Sequence, residues 1–115
     1  MNTAQDEYGA EAKYLLAEIF YLTKEYKQCY ETLVGLNTDF AAYTEWVGKS
    51  YLLLSDNFVA TGDLFQAKGT LKSLVENFPL ENIRSLAREK LKKIEDSELK
   101  KEQDLKKADS LNRTN

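Results

Sequence analysis

The sequence contains no histidine and a single cysteine, Cys29, among its 115 residues. Metal sites built on imidazole, histidine-dependent catalytic triads and histidine acid–base chemistry are therefore excluded. One cysteine forms neither an intramolecular disulfide nor a thiolate metal cage, and it indicates nothing firm about the compartment. No glycine-rich phosphate loop precedes a predicted helix, and the EF-hand spacing is missing. The sequence therefore predicts that the chain is not an enzyme and carries no cofactor.

The sequence also has little proline, no excess of basic residues and no long uncharged run. The single proline, Pro79, and an ordinary apolar fraction suit an all-α protein of one domain. With a net charge of −3, the chain lacks the basic patch that binding to nucleic acid requires, so no such partner is expected. No uncharged run approaches the length of a membrane span, and no signal-peptide pattern is present. We interpret the chain as a piece of a larger protein.

Apolar residues between Tyr51 and Pro79 recur at steps of three and four, and the pattern is broken once, at Gly62. This spacing predicts two amphipathic helices. Glycine tolerates the positive φ that ends a helix, and Asp63 is placed to cap the next one. Proline cannot continue the second helix, so it ends before Pro79. Because the hinge is short, the two helices are predicted to be antiparallel neighbours.

This stretch resembles a tetratricopeptide repeat. Along its first helix the family places an aromatic, a leucine, a small residue and a second aromatic. A hinge glycine, an alanine, a large apolar residue and an exit proline follow. The corresponding residues here are Tyr51, Leu54, Ser55, Phe58, Gly62, Ala67, Leu71 and Pro79. Leu74 departs from the pattern, because the family prefers a small residue there. The alternative is a generic helical hairpin of another α-helical bundle.

A weaker copy of the pattern lies upstream, at a constant offset that we call the repeat step. Residues Leu16, Ala17, Phe20, Tyr26, Cys29 and Leu33 align with Leu54, Ser55, Phe58, Leu64, Ala67 and Leu71, and the repeat step is the same in every pair. It is slightly longer than the family period of about 34 residues. We expect the additional residues, near 37–42, to lengthen the third helix at its start. Asp6 is predicted to cap a first helix over about 7–22, and a second helix follows over about 26–36. Lys24 stands where the family has its hinge glycine.

The predicted fold is an all-α solenoid of antiparallel helix pairs with five helices. Two tetratricopeptide-like repeats, about 7–41 and 42–79, precede a C-terminal capping helix, about 81–98. A solenoid end requires a cap with a polar outer face, and the apolar stripe of this helix fades towards its end. Residues 99–115 form a charged tail, either a helical extension or a frayed end. Residues 1–6 are expected to be disordered or a remnant of cloning.

In the resembled family, the first helices of successive repeats line a concave groove that holds partner peptides. The resemblance implies eight groove-facing residues here, namely Glu11, Tyr14, Glu18, Tyr21, Lys49, Leu52, Asp56 and Val59. Glu18 and Asp56 place two negative charges there, so the expected ligand is an apolar or basic extended peptide. The residues with which some members clamp a terminal carboxylate are not at these positions. Alternatively, Tyr14, Tyr21 and Leu52 pack against neighbouring helices of a longer solenoid.

Three functions remain open. The leading hypothesis is a non-enzymatic protein–protein interaction module, a scaffold fragment that binds a protein or peptide. The second is self-assembly, because the first helix is apolar around most of its circumference and its uncovered side predicts a homodimer. The third is an accessory domain regulating an enzyme elsewhere in the parent chain. The Asn-Phe-Pro ending of the second repeat is similar to repeats of bacterial envelope proteins. The periplasm or cell envelope and the cytoplasm of a bacterium both remain open.

Overall fold

The computed structural model describes residues 6–113, and these residues form five α-helices. The helices are α1 (Glu7–Leu22), α2 (Tyr26–Asp39), α3 (Thr44–Ala60), α4 (Leu64–Asn77) and α5 (Glu81–Arg113). Each helix packs against the next, α1 also contacts α3, and α3 also contacts α5. The helices α1, α3 and α5 therefore lie side by side in one layer, and α2 and α4 form the other. The predicted all-α fold of consecutive antiparallel helix pairs is confirmed.

The turns inside the two hairpins, α1–α2 and α3–α4, have the same backbone structure. Lys24 has a φ of 64° and Gly62 has a φ of 83°, so both adopt the left-handed conformation. In each turn the next residue donates its amide N–H to the carbonyl five residues earlier, and both N···O distances are 2.8 Å. The positive φ predicted at Gly62 is confirmed. Lys24 adopts the same conformation although its Cβ disfavours it.

Aspartate side chains cap two helices, as the sequence predicts. The Oδ1 atom of Asp6 accepts a hydrogen bond from the amide of Gly9 at 2.9 Å. The Oδ1 atom of Asp63 accepts one from the amide of Gln66 at 3.1 Å. Each carboxylate pairs an N–H group that has no partner within the first helical turn. The two caps therefore help to define where α1 and α4 begin.

Residues 37–39 lengthen α2, and the prediction that the additional residues near 37–42 lengthen α3 is wrong. The helix continues to Asp39, and α3 begins only at Thr44. The physical reason is the position of two apolar residues four apart in the sequence. Leu36 and Phe40 are both buried against Ala10 of α1. Continuing the helix past Leu36 keeps these two side chains on the same face.

The core is divided among three clusters of buried side chains. The cluster between the first hairpin and α3 contains Ala17, Cys29, Leu33, Leu53 and Leu54. The cluster between the second hairpin and α5 contains Leu52, Leu71, Leu74, Ile83 and Ala87. The third joins the start of α1 to the end of α2. Ala67, which the repeat pattern predicts to be closely packed, is fully buried. Since burying a leucine side chain contributes about 1.5–3 kcal/mol, these clusters hold consecutive helix pairs together.

The last helix, α5, is 33 residues long and extends for about 50 Å. Its first half packs on the body, and the Nζ atom of Lys68 lies 2.9 Å from a carboxylate oxygen of Glu98. Residues 99–113 continue the same helix, and all their side chains are exposed. Ion pairs at i,i+4 spacing lie along this extension, at Glu102–Lys106 and Asp109–Arg113. The predictions for residues 1–5, 114 and 115 lie outside the described residues.

Candidate partner-binding groove

A cleft of about 270 Å³ opens where α1, α3 and α5 lie side by side. We call it the inner groove, and the side chains that line its surface include Tyr21, Asp56, Val59, Lys90, Lys93 and Ile94. Three of the eight groove residues expected from the sequence meet here, although they come from two different helices. The other three are supplied by α5, so the groove spans all three helices of this layer.

The charge of the inner groove differs from the sequence expectation. The Nζ atom of Lys90 lies 3.0 Å from both carboxylate oxygens of Asp56, and each side chain is about one-third exposed. This ion pair neutralises one of the two expected negative charges. Glu18 and Lys93 take part in no ion pair within residues 6–113. Lys93 therefore adds an available positive charge, because α5 lies against α3.

Tyr21 contributes a neutral hydrogen-bond donor to the groove. Its ring is half-buried and lies edge-on to Tyr26, with 6.0 Å between the ring centroids. Burial, and to a smaller degree the Asp56 carboxylate, raises the pKa of Tyr21 above the ordinary tyrosine value. The phenol is therefore protonated at neutral pH and can donate to a carbonyl group. Beside it, Val59 is 41% exposed and offers an apolar contact.

Two groove candidates nearer the start of α1 and α3, Tyr14 and Lys49, contact Trp46 instead. The ring of Tyr14 is half-buried against Trp46, with 5.6 Å between the ring centroids. Burial, followed by the nearby Glu18, raises the pKa of Tyr14. The Nζ atom of Lys49 lies 4.4 Å from the centre of the Trp46 ring, a cation–π distance, and 3.6 Å from Glu45. The Tyr14–Trp46 contact packs α1 against α3, whereas both contacts of Lys49 lie within α3, and Glu11 is exposed.

Leu52 is not accessible to a ligand. It is only 6% exposed and packs in the core with Leu71 and Ile83, beneath α5. Sequence analysis also missed Lys90 and Lys93 as groove residues. The repeat step does not predict them, because it carries the buried Ala17 and Ser55 to the exposed Lys93. α5 therefore packs beside α3 without continuing the repeat, and its groove residues follow only from the tertiary structure.

The opposite layer carries a broader and shallower depression between α2 and α4. Its volume is about 450 Å³, and α3 forms its floor. Tyr30 on α2 contacts Phe58 on this floor, with 6.1 Å between the ring centroids. The Oδ1 atom of Asn37, at its edge, is buried and has no hydrogen-bond partner among the described residues. No charged side chain is among the residues that line this depression, so it offers less to fix a ligand than the inner groove does.

Comparisons of the chain with protein-family models, with curated proteins and with solved structures found no match. Within residues 6–113, no three or more histidine, cysteine, aspartate or glutamate side chains are grouped to hold a metal ion. No helix in that part of the chain is long and apolar enough to cross a membrane. The geometry of the inner groove and the internal repeat are therefore the features of the chain that bear on its function.

Proposed function

We propose that this chain is a non-enzymatic protein–protein interaction module of the tetratricopeptide type, part of a larger bacterial scaffold protein. It binds an extended peptide segment of a protein partner in the inner groove. The observation that carries this proposal is the groove itself, an open cleft formed where α1, α3 and α5 lie side by side. Surfaces built from several packed helices are the usual binding surfaces of helical repeat proteins.

The internal repeat supports the tetratricopeptide assignment. Positions separated by one repeat step are buried alike in the two hairpins, as seen in the pairs Cys29 and Ala67, Leu33 and Leu71, and Leu36 and Leu74. The two hinge residues also share the left-handed backbone conformation. Equivalent burial and equivalent turns at a fixed step are what stacked repeat units produce. A generic helical bundle has no reason to repeat both features.

The chemistry of the inner groove defines the kind of peptide that it accepts. Tyr21 donates a hydrogen bond, Val59 and Ile94 offer apolar contacts, and Lys93 offers a positive charge. A peptide with apolar side chains and an acidic group directed towards Lys93 satisfies all of these groups. Because the cleft is small and open, we expect weak binding that depends on a few contacts rather than on area.

Selection of peptides from a random display library tests the proposal. Bound peptides are synthesised, and their affinities for the wild type, Val59→Asp, Lys93→Glu and Lys72→Glu are measured by fluorescence anisotropy. We expect Val59→Asp and Lys93→Glu to weaken binding at least tenfold. Lys72→Glu, the same charge change on the exposed face of α4, leaves the affinity unchanged. Equal affinity for all four proteins would mean that the inner groove is not the binding site.

A further inference from the structure

The outer side of α1 carries an apolar stripe that is exposed along the whole helix. We call it the α1 stripe, and it consists of Tyr8, Ala12, Leu15, Ile19 and Leu22. These residues follow one another at alternating steps of four and three, which is the heptad spacing of a seam between two packed helices. An exposed apolar surface of this continuity usually marks an interaction site.

The second hairpin shows how the same side of a helix is used within this fold. Counted one repeat step forward, the stripe corresponds to Trp46, Ser50, Leu53, Asn57 and Ala60 on α3. There Asn57 is only 3% exposed, and its Nδ2 atom donates to the Tyr26 carbonyl of α2 at 3.0 Å. Leu53 is buried in the cluster formed with the first hairpin. This side of α3 is therefore a helix-packing surface.

The stripe on α1 is more apolar than the covered surface on α3. Ala12 and Ile19 stand where α3 has Ser50 and Asn57, yet Ile19 is 56% exposed. An exposed isoleucine in the centre of an apolar stripe gains more from being covered than a serine or an asparagine does. The side chains of α1 thus suit a partner helix at least as well as those of α3 do.

The charges beside the stripe limit what that partner can be. Glu11 lies one turn from both Tyr8 and Leu15, and Glu18 lies one turn from both Leu15 and Leu22, all on one edge. Neither glutamate takes part in an ion pair among the described residues. Two copies of α1 packed antiparallel would place these carboxylates against one another. The charges therefore disfavour an antiparallel homodimer and favour a partner with basic side chains along this edge.

We propose that the α1 stripe docks an amphipathic helix of another protein chain. This helix has apolar residues at heptad spacing and lysine or arginine along the flank that faces Glu11 and Glu18. It lies along α1 with the small crossing angle that heptad packing produces. The α1 stripe is separate from the inner groove, and the proposal does not depend on peptide binding there.

A synthetic amphipathic peptide of about three heptads tests this surface. Its a and d positions are leucine, one flank is arginine, and its affinity is measured by fluorescence anisotropy. The matched peptide has the same composition in an order that breaks the heptads. We expect the heptad peptide to bind at least tenfold more tightly, and Ile19→Lys to abolish that difference. Val34→Lys, an equivalent change at a 43%-exposed position on α2, leaves it intact. Equal binding of both peptides would overturn the proposal.

The charge requirement is tested with a third peptide whose flank is glutamate instead of arginine. We expect the arginine peptide to bind about fivefold more tightly, and Glu11→Lys to reduce that preference to about twofold or less. Sedimentation at several protein concentrations supplies the second arm. A dimer that Ile19→Lys dissociates would mean that a second copy occupies the stripe, which would overturn the proposal. Lys93→Glu separates the two sites, because it leaves binding of the heptad peptide unchanged.

Discussion

The two hairpins are built on one plan, yet their equivalent residues have different surroundings. Ile19 of the first hairpin is 56% exposed, whereas Asn57, one repeat step later, is 3% exposed. The apolar side chain is thus in water and the polar one is buried. The reason is position in the array, because α3 has a hairpin on one side and α5 on the other, while α1 has a described neighbour on one side only. Burial in a repeat fold is therefore decided by neighbours as much as by residue type.

The largest effect is expected where the hairpins are most alike. Leu33 and Leu71 are equivalent, and both are fully buried. Leu33→Ala and Leu71→Ala each remove a large core side chain and leave a cavity, so each is expected to lower the free energy of unfolding by about 2–5 kcal/mol. Urea unfolding measures both values. A loss at one position and almost none at the other would break the equivalence.

Cys29 and Ala67 are also equivalent, but only the cysteine can ionise. Burial raises the pKa of the Cys29 thiol from an ordinary value of 9.0 to about 11. Between about pH 9 and pH 11 the unfolded chain loses this proton and the folded chain keeps it. Stability is therefore fully present below pH 9 and falls as the pH rises, by a total on the order of 2 kcal/mol.

The Cys29→Ala variant places in the first hairpin the residue that the second already has. We expect it to remove this part of the pH dependence while the contribution of the tyrosines remains. The measurement is urea unfolding of both proteins between pH 8 and pH 11, where the pH range follows from the ordinary and raised thiol pKa values. Parallel curves for the two proteins would contradict a raised thiol pKa.

Substitutions at the two hinge residues, Lys24 and Gly62, are expected to change the free energy of unfolding by smaller amounts and in opposite directions. Replacing Lys24 by glycine relieves the left-handed strain, so Lys24→Gly is expected to raise the free energy of unfolding by about 0.5–1 kcal/mol after the entropy cost of glycine. Gly62→Ala introduces the same strain and is expected to cost about 1 kcal/mol. Contact with the rest of the protein does not contribute, because no atom beyond the two neighbouring residues lies within 4 Å of a Cβ added at Gly62. Thermal unfolding measures both, and shifts of the same sign would contradict the shared turn geometry.

The smallest effect on stability is expected from shortening α5. Its first half packs on the body, whereas the side chains of residues 99–113 are all exposed. Ending the chain after Ser97 removes the Lys68–Glu98 ion pair, whereas ending it after Leu99 preserves that pair and removes only exposed side chains. The chain that ends after Leu99 is expected to have the free energy of unfolding of the full chain within about 0.5 kcal/mol. The chain that ends after Ser97 is expected to lose up to about 1 kcal/mol more. Chemical unfolding of the three proteins measures these differences. A larger loss of stability in the chain that ends after Leu99 would show that the extension contributes to packing.

Much of the local structure was predictable from the sequence alone. The apolar spacing, Gly62 and the caps at Asp6 and Asp63 place the helices and the hinge, because these signals act between residues a few positions apart. The repeat step identifies the equivalent core positions for the same reason, since it compares one local pattern with another.

The tertiary structure decided what depends on neighbours distant in the sequence. Lys24 takes a left-handed conformation that its own side chain disfavours, because the hairpin on both sides of it requires the same turn as at Gly62. The end of α2 follows from the burial of Phe40 against α1. Lys90 neutralises Asp56 only because α5 lies beside α3. Ile19 is exposed and Asn57 is buried for the same physical reason: the spacing of residues encodes each helix, but contact between helices determines which face is covered.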